Sequence, residues 1–308
     1  MLIQGVVFYL LTVLIWGSTW FAIRFQLGEV HESVSLVYRF GLAAILLLAY
    51  CLWQGKTLRF NAREHMAMAA QGTCLFSINY LLFYWCTGLI TSGLVAIIFS
   101  TVIVMNIING ALFLKRRVEL LVLVGAIVGL LGITLVFWHE IIASQGRSDA
   151  AAKDVLNGLG IGLVATYFAS LGNILSARNQ SLGLPVLQTN AIGMAYGSVL
   201  MVAFALVMRI PFNFEWSVAY TGSLLYLSVF GSIIAFGAYL TLVGRIGADK
   251  AAYATVLFPL VALLISSVFE DFQWTPLALT GVALVLVGNV LVVGRGIGAR
   301  WRRRVSVA

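Results

Sequence analysis

The chain has 308 residues, of which 61% are hydrophobic and 10% are charged. That balance excludes an ordinary water-soluble globular protein and is typical of an integral membrane protein. The formal net charge is +8, and an Arg-rich segment closes the chain. A nucleic-acid-binding function is disfavoured, because basic clusters beside membrane spans usually contact anionic lipid headgroups.

Apolar runs of about 20 residues, the length that a transmembrane helix needs, fill most of the chain. We number them as spans one to ten: Gly5–Phe25, Val34–Trp53, Met66–Cys86, Gly93–Leu114, Leu120–Trp138, Leu156–Ala177, Pro185–Met208, Trp216–Val243, Ala251–Phe269 and Pro276–Gly294. The remaining segments are too short for a soluble domain. We therefore predict an all-α membrane protein with ten transmembrane helices.

A stretch around spans four and five returns near the end of the chain. Gly88–Phe137 aligns without a gap on Gly244–Val293. The alignment pairs the glycines Gly88 with Gly244, Gly125 with Gly281 and Gly132 with Gly288. An ungapped match with paired glycines indicates an internal repeat.

The charge of one turn differs between the two copies. Lys115, Arg116 and Arg117 align with Asp271–Gln273, which directly follows Glu270. Since the cytoplasmic side of a membrane collects Lys and Arg, the two copies are predicted to lie upside down relative to each other. Five spans in each copy require the same inversion.

The predicted organisation is a pair of inverted five-helix repeats with both termini in the cytoplasm, because this orientation places most Lys and Arg on the cytoplasmic side. The first repeat is 1–138 and the second is 156–294. A periplasmic connecting loop, 139–155, joins them, and a basic cytoplasmic tail, 295–308, follows.

Polar and aromatic residues at membrane depth are predicted to face each other or water, since polar groups that face lipid are costly. The predicted substrate-binding residues are Trp16, Thr19, Trp20, Arg39, Asn79, Tyr80, Tyr84, Thr101, Asn106, Tyr167, Asn173, Asn190, Tyr239 and Thr255. For Asn79, Asn106 and Asn173, packing between helices is an equally open alternative. Pro259 predicts a kink or hinge in span nine.

Arg39 is the one basic residue that lies more than one residue inside a span, about one helical turn from its outer end. The first expectation is that its side chain snorkels to the headgroups. The alternative is a contact with a substrate carboxylate at the outer mouth.

Spans five and ten are mostly aliphatic. Gly125, Gly129 and Gly132 recur at the spacing that lets two helices approach closely. We predict a scaffold or an oligomer contact for these spans.

Acidic and histidine residues lie outside the spans or at their ends. Because proton-coupled transport commonly uses an embedded carboxylate or histidine, we expect exchange or facilitated transport without strict proton coupling. No HExxH, GxSxG or Walker sequence is present, and Cys51, Cys74 and Cys86 are scattered. We therefore expect neither an enzyme nor a cofactor or metal site.

The sequences WGSTWFAIR at Trp16–Arg24 and YRF at Tyr38–Phe40, with the Gly88–Phe137 block, resemble the EamA family of the drug/metabolite transporter superfamily. The resemblance implies a bacterial inner-membrane exporter of amino acids or related small metabolites. It also implies a central cavity lined by spans one to four and six to nine, with spans five and ten as supports. In one departure from the family pattern, Ile103 stands where the fourth span often has proline.

The predicted function is transport of a small neutral or zwitterionic molecule by alternating access, with the substrate and the lipid bilayer as the expected partners. One alternative is an exporter of drugs or quaternary cations, against which the lack of an embedded carboxylate counts. An alternative of another class is a channel or a membrane-signalling protein.

Overall fold

The computed structural model describes residues 2–114, 120–145, 148–239 and 253–305, and every regular element in this part of the chain is helical. The α-helices are α1 (Leu2–Arg24), α2 (Glu32–Trp53), α3 (Ala62–Thr73), α4 (Asn79–Leu89), α5 (Ser92–Ser100), α6 (Val102–Leu114), α7 (Leu120–Gln145), α8 (Asp149–Ser181), α9 (Val186–Val207), α10 (Val218–Leu225), α11 (Tyr253–Phe269) and α12 (Pro276–Val305). Two π-helical segments are π1 (Cys74–Ile78) and π2 (Tyr226–Ile234). The basic turn Lys115–Arg117 lies outside the described residues.

Seven helical stretches are long and apolar enough to cross a membrane: Val7–Arg24, Glu32–Trp53, Ala62–Leu89, Ser92–Phe113, Asp149–Ser181, Val186–Val207 and Val218–Tyr239. Three shorter apolar helices are Leu123–Trp138, Val256–Phe269 and Pro276–Leu291. Each stretch lies on one of the predicted spans. An all-α membrane protein is thus confirmed for the described residues, while the number of ten spans stays a prediction.

Large aliphatic side chains are exposed along α7. Ile127, Leu130 and Leu131 have exposed fractions of 52%, 53% and 56%. In water such a row is unfavourable, since the free energy falls when apolar surface is removed from water. In a bilayer it contacts acyl chains, so the exposed apolar surface agrees with a membrane protein.

The connection predicted as the loop 139–155 is mostly helical, which corrects the sequence analysis. α7 continues to Gln145 and α8 begins at Asp149. The early start of α8 has a local cause, because the Ser148 hydroxyl accepts a hydrogen bond from the Ala151 N–H at 3.1 Å and caps the helix. Three alanines then favour helix in its first turn.

The chain forms two compact units, and each takes residues from both halves of the sequence. The first unit contains Met1–Phe21, Leu89–Gly160 and Ala235–Ala308. The second unit contains Ala22–Gly88 and Ile161–Ile234.

In the first unit, glycines bring α7 and α12 into backbone contact. A Cβ at Gly132 would lie 2.5 Å from the Gly281 carbonyl oxygen, and a Cβ at Gly288 would lie 2.5 Å from that of Gly125. Higher residue numbers in α7 meet lower ones in α12, so the two helices run antiparallel. By contrast, a Cβ at Gly129 would meet nothing within 4 Å.

A second contact in the first unit joins the start of α5 to the end of α11. The Glu270 carboxylate accepts hydrogen bonds from the Ser92 backbone N–H, at 3.0 and 3.2 Å, and from its hydroxyl. The first N–H groups of a helix have no partner within it, and their partial positive charge favours a carboxylate. Glu270 therefore stabilises the N-terminus of α5.

In the second unit, α9 packs against α2 and α3. A Cβ at Gly72 would lie 2.1 Å from the Gly193 carbonyl oxygen, and one at Gly41 would lie 3.2 Å from the Ser198 hydroxyl. The sequence analysis did not single out Gly72 or Gly193, although Gly193 and Gly197 are four residues apart on α9 and both lie against Gly72. Their contact shows that α3 and α9 approach as closely as α7 and α12 do.

Both π-helical segments lie in the second unit, π1 between α3 and α4 and π2 directly after α10. Within π2, the Ser232 hydroxyl donates to the Leu227 carbonyl five residues back, at 3.0 Å. A π-helical turn re-aims the side chains that follow it and is frequent at functional sites. Asn79 is the first residue after π1.

Candidate functional site

Arg39 is the largest fully buried side chain in the described part of the protein, with an exposed fraction of 1%. The expectation that it snorkels to the headgroups is therefore wrong. Since α2 begins at Glu32, Arg39 lies seven residues, or about 10 Å, along the helix axis. That depth, together with packing against α4, keeps the guanidinium away from solvent.

Aromatic rings surround the Arg39 guanidinium within the second unit. Its central carbon lies 4.6 Å from the centre of the Tyr80 ring and 5.1 Å from that of Phe40. Its Nη1 lies 3.5 Å from the Tyr84 hydroxyl, which is a long and weak hydrogen bond. The Nε is buried and has no hydrogen-bond partner. No carboxylate of the described residues forms an ion pair with Arg39.

Asn79 and the two tyrosines lie on α4, which follows π1. Asn79 has an exposed fraction of 2%, and its Oδ1 atom is buried without a hydrogen-bond partner. Tyr84 is fully buried. The predicted residues Arg39, Tyr80 and Tyr84 are therefore brought together, and Asn79 adjoins Tyr80 in the chain.

A polar layer extends from this cluster through α2 and α10. Ser35, one turn before Arg39 on α2, has its hydroxyl 2.9 Å from the Tyr220 hydroxyl. The Gln26 Nε2 donates to the Tyr220 carbonyl at 2.8 Å and to the Ser223 hydroxyl. Sequence reasoning missed Gln26, Ser35 and Tyr220, because the first lies beyond span one and the other two lie near helix ends.

Asn190 belongs to a different network in the second unit. Its Oδ1 accepts a hydrogen bond from the Gln71 Nε2 at 3.0 Å, and the Gln71 Oε1 accepts one from the Asn179 Nδ2 at 2.9 Å. These buried amides join α3, α8 and α9. Asn190 therefore has a packing contact that the sequence did not predict, and Gln71 and Asn179 were missed.

Other predicted residues of the second unit lie on α8. Tyr167 is exposed, with a fraction of 42%, and Asn173 is half-buried. In the first unit, Asn106 is half-buried on α6, and the Thr255 side chain lies outside the described residues. Pro259 lies inside α11, and the kink or hinge there stays a prediction.

The first unit contains a second aromatic group around α1. The Trp16 ring lies 5.3 Å from Phe236 and 5.2 Å from Tyr239, and Trp20 lies 5.2 Å from Phe99. This geometry suits edge-to-face and tilted ring contacts.

Two predicted threonines in the first unit have partners in their own helices. The Thr19 hydroxyl donates to the Trp16 carbonyl at 2.7 Å. The Thr101 hydroxyl donates to the Ile98 carbonyl, also at 2.7 Å. Their hydroxyl hydrogens are thus engaged locally.

Among the described residues, no group of three or more His, Cys, Asp or Glu side chains is placed to hold a metal ion. The chemistry available on α2 and α4 is instead one buried cation, Arg39, one unpaired amide oxygen, that of Asn79, and several aromatic rings. Such a set can bind a small molecule through few polar contacts and an apolar wall.

Comparison with known proteins gives consistent matches along the whole chain. The model of the EamA-like transporter family matches twice, at residues 3–138 and 156–294. Protein PagO of Salmonella typhimurium is 23% identical over 285 residues, which cover 92% of this chain and 90% of PagO. The uncharacterized inner membrane transporter YedA of Escherichia coli K12 is 29% identical over 291 residues, covering 89% of this chain and 87% of YedA.

Further matches agree with these. The uncharacterized transporter YoaV of Bacillus subtilis is 22% identical over 276 residues, covering 89% of this chain and 91% of YoaV. A solved crystal structure shares the fold with a TM-score of 0.66 and 14% identity, covering 93% of this chain and 95% of that one. Because the family model covers nearly the whole sequence, the chain belongs to the EamA-like transporter family.

Proposed function

We propose that the protein is a bacterial inner-membrane exporter of amino acids or related small metabolites that works by alternating access of two inverted repeats. The observation that carries the proposal is the double match to a transporter family, at residues 3–138 and 156–294. These ranges coincide with the two predicted repeats. The inner membrane is the site named for the relative YedA.

The contacts between α7 and α12 support an inverted repeat. The alignment of the two copies pairs Gly125 with Gly281 and Gly132 with Gly288. Gly132 contacts Gly281, and Gly288 contacts Gly125, so each contact is the other with its partners exchanged. A two-fold relation between equivalent elements produces this exchange. Equivalent helices that run antiparallel fit copies of opposite membrane orientation.

A small polar substrate is supported by the state of Asn79. An amide offers both a donor and an acceptor, so it can hold the amino or the carboxyl group of a zwitterion. The Asn79 Oδ1 is buried without a partner, which costs free energy unless another molecule supplies a donor. The aromatic side chains Tyr80 and Tyr84 on the same helix suit the apolar remainder of such a substrate.

Exchange or facilitated transport without strict proton coupling is part of the proposal. Its basis is the sequence, which places no acidic or histidine residue well inside a span. Glu270, at the end of α11, is held at the N-terminus of α5 in the described structure. The Glu270 carboxylate therefore has a structural role at the N-terminus of α5.

Uptake by the purified protein in proteoliposomes tests the substrate class. Radiolabelled L-amino acids and labelled tetraphenylphosphonium, a quaternary cation, are supplied in parallel, and protein-free liposomes are the control. We expect saturable uptake of at least one amino acid and none of the cation above the control. Uptake of the cation alone would replace the proposal by the exporter of quaternary cations.

A further inference from the structure

We propose that Arg39 selects the substrate by binding its carboxylate group. This proposal rests on the proposed transport function. The substrate class is thereby restricted to molecules with a free carboxylate. Esters, amides and decarboxylated amines of the same skeleton are excluded.

Burial of the Arg39 guanidinium carries a free-energy cost. A buried charge is costly unless it is paired, and an arginine at membrane depth carries a similar cost. The rings of Tyr80 and Phe40 offset part of this cost through cation–π contacts. They are neutral, however, so the positive charge in the second unit has no described counter-charge. An anionic ligand supplies it.

The hydrogen-bond geometry of Arg39 leaves N–H groups for a ligand. A guanidinium binds a carboxylate best through two parallel N–H groups, and the Nε with a neighbouring Nη forms one such fork. In Arg39 the described hydrogen bond goes from Nη1 to the Tyr84 hydroxyl, while Nε has no partner. The Tyr84 hydroxyl therefore contacts only the Nη1 side of the guanidinium and leaves the Nε side of the fork for a ligand.

Charge and shape distinguish the candidate ligands of Arg39. The charge repels ammonium groups and quaternary cations, so a cationic drug gains nothing here. A phosphate with two negative charges requires further cations, yet the other described basic side chains of the second unit, such as Arg59 and Arg63, lie at helix ends or in loops. One planar carboxylate matches one planar guanidinium in charge and in shape.

The burial of Arg39 is compatible with this role. An alternating-access carrier opens its site to one side of the membrane at a time. A guanidinium closed to solvent in one conformation therefore meets substrate in another. The aromatic ring contacts and the Tyr84 hydroxyl hold its position between these states.

The test compares acids with their amides, which differ only in the proposed contact. Detergent-purified protein is heated with an equimolar mixture of the standard L-amino acids, with the matching mixture of their α-amides, or with inorganic phosphate. We expect the acids to raise the unfolding temperature and the amides and phosphate to leave it unchanged. Equal shifts with acids and amides, no shift with the acids, or a shift with phosphate in their place would overturn the proposal.

Variants sharpen the test. In Arg39→Gln, the preference for acid over amide is expected to fall roughly 10- to 150-fold, as for a lost hydrogen bond to a charged group. Arg39→Lys should keep part of it through its charge. Arg59→Gln removes an equal charge at an exposed position and should keep all of it. A preference that survives in Arg39→Gln shows that Arg39 is a packing residue.

The two proposals fail in different ways. If the acids stabilise the protein but no labelled acid enters proteoliposomes, the carboxylate site stands and the transport function is wrong. If acids and amides are transported equally well, the transport function stands and the role of Arg39 is wrong. When Arg39→Gln does not fold, the acid-to-amide comparison on the wild-type protein still decides.

Discussion

Five buried side-chain polar atoms described in the second unit have no hydrogen-bond partner: Gln26 Oε1, Arg39 Nε, Asn79 Oδ1, Thr189 Oγ1 and Ser228 Oγ. Two of them, the Arg39 Nε and the Asn79 Oδ1, belong to the cluster on α2 and α4. One is a donor and the other is an acceptor. Most buried polar groups in proteins are paired, so each exception calls for a specific explanation. We attribute the unpaired Arg39 Nε and Asn79 Oδ1 to a substrate that supplies the missing partners during transport.

Replacing Asn79 by Leu tests the acceptor. Because the Oδ1 has no partner in the protein, its removal should leave the unfolding temperature unchanged or raise it. The half-saturation concentration for transport should rise roughly 10- to 150-fold, the effect of losing a contact with a charged group. Uptake by proteoliposomes and thermal unfolding measure the two effects.

The control for this variant is Val128→Ala on α7, in the first unit, where we expect little change in affinity. If Asn79→Leu is produced at normal abundance and transports with an unchanged half-saturation concentration, Asn79 is not a substrate-binding residue.

Replacing Gln71 by Leu should give the opposite result. The change removes hydrogen bonds to two buried amides, Asn190 and Asn179. We expect a loss of about 1–3 kcal/mol in the free energy of unfolding, since Asn190 is left unpaired and Asn179 keeps only a 3.3 Å hydrogen bond to the Ala67 carbonyl. That exceeds the mean of about 0.6 kcal/mol for single hydrogen bonds between transmembrane helices. Thermal unfolding in detergent checks it.

The matched variant is Gln180→Leu on α8, whose side chain is exposed. It should unfold like the wild-type protein. A Gln71→Leu variant of wild-type stability would show that the amide network contributes little.

The sequence indicates which polar residues to expect at membrane depth, since a polar residue inside an apolar run is visible without a structure, and that depth stays a prediction. It did not predict their partners. Whether Asn190 faces a substrate or Gln71 depends on how α3 and α9 rotate against each other. The burial of Arg39 likewise depends on its packing against α4, which no periodicity encodes.

At the scale of the helix, glycine contacts set the distance between α7 and α12. Gly132→Val would place its side chain against the Gly281 carbonyl, where even a Cβ atom has only 2.5 Å. We expect α7 and α12 to separate, with a lower unfolding temperature and yield of folded protein. Gly129→Ala, where a Cβ meets nothing within 4 Å, should behave as the wild type. Equal stability of the two variants would contradict the close contact.

The same pair shows how far helix patterns can be predicted. The spacing of Gly125, Gly129 and Gly132 correctly indicated a close helix approach, because it depends only on the helical period. The structure supplies the partner, α12, within the first unit. The two π-helical segments were not predicted, since the sequence pattern of a π-helical turn differs little from that of an α-helix.

At the scale of the whole molecule, the inverted repeat predicts the side of the membrane on which each turn lies. Single cysteines at Arg116 and Asp271, in a background without Cys51, Cys74 and Cys86, should react with a membrane-impermeant maleimide from opposite sides. The reason is that the two turns are equivalent in the repeat and opposite in charge, and the basic one belongs in the cytoplasm. Labelling of both from outside intact cells would rule out inverted copies.

The central claim, that this protein is a carrier, is tested most directly by counterflow. Proteoliposomes loaded with an unlabelled mixture of L-amino acids are diluted into a trace of the same mixture carrying ¹⁴C, with equal pH on both sides. We predict a transient accumulation of label inside above its external concentration, because a carrier returns loaded with unlabelled substrate. Uptake that only reaches equilibrium, without this overshoot and without saturation, would identify a channel and contradict the account.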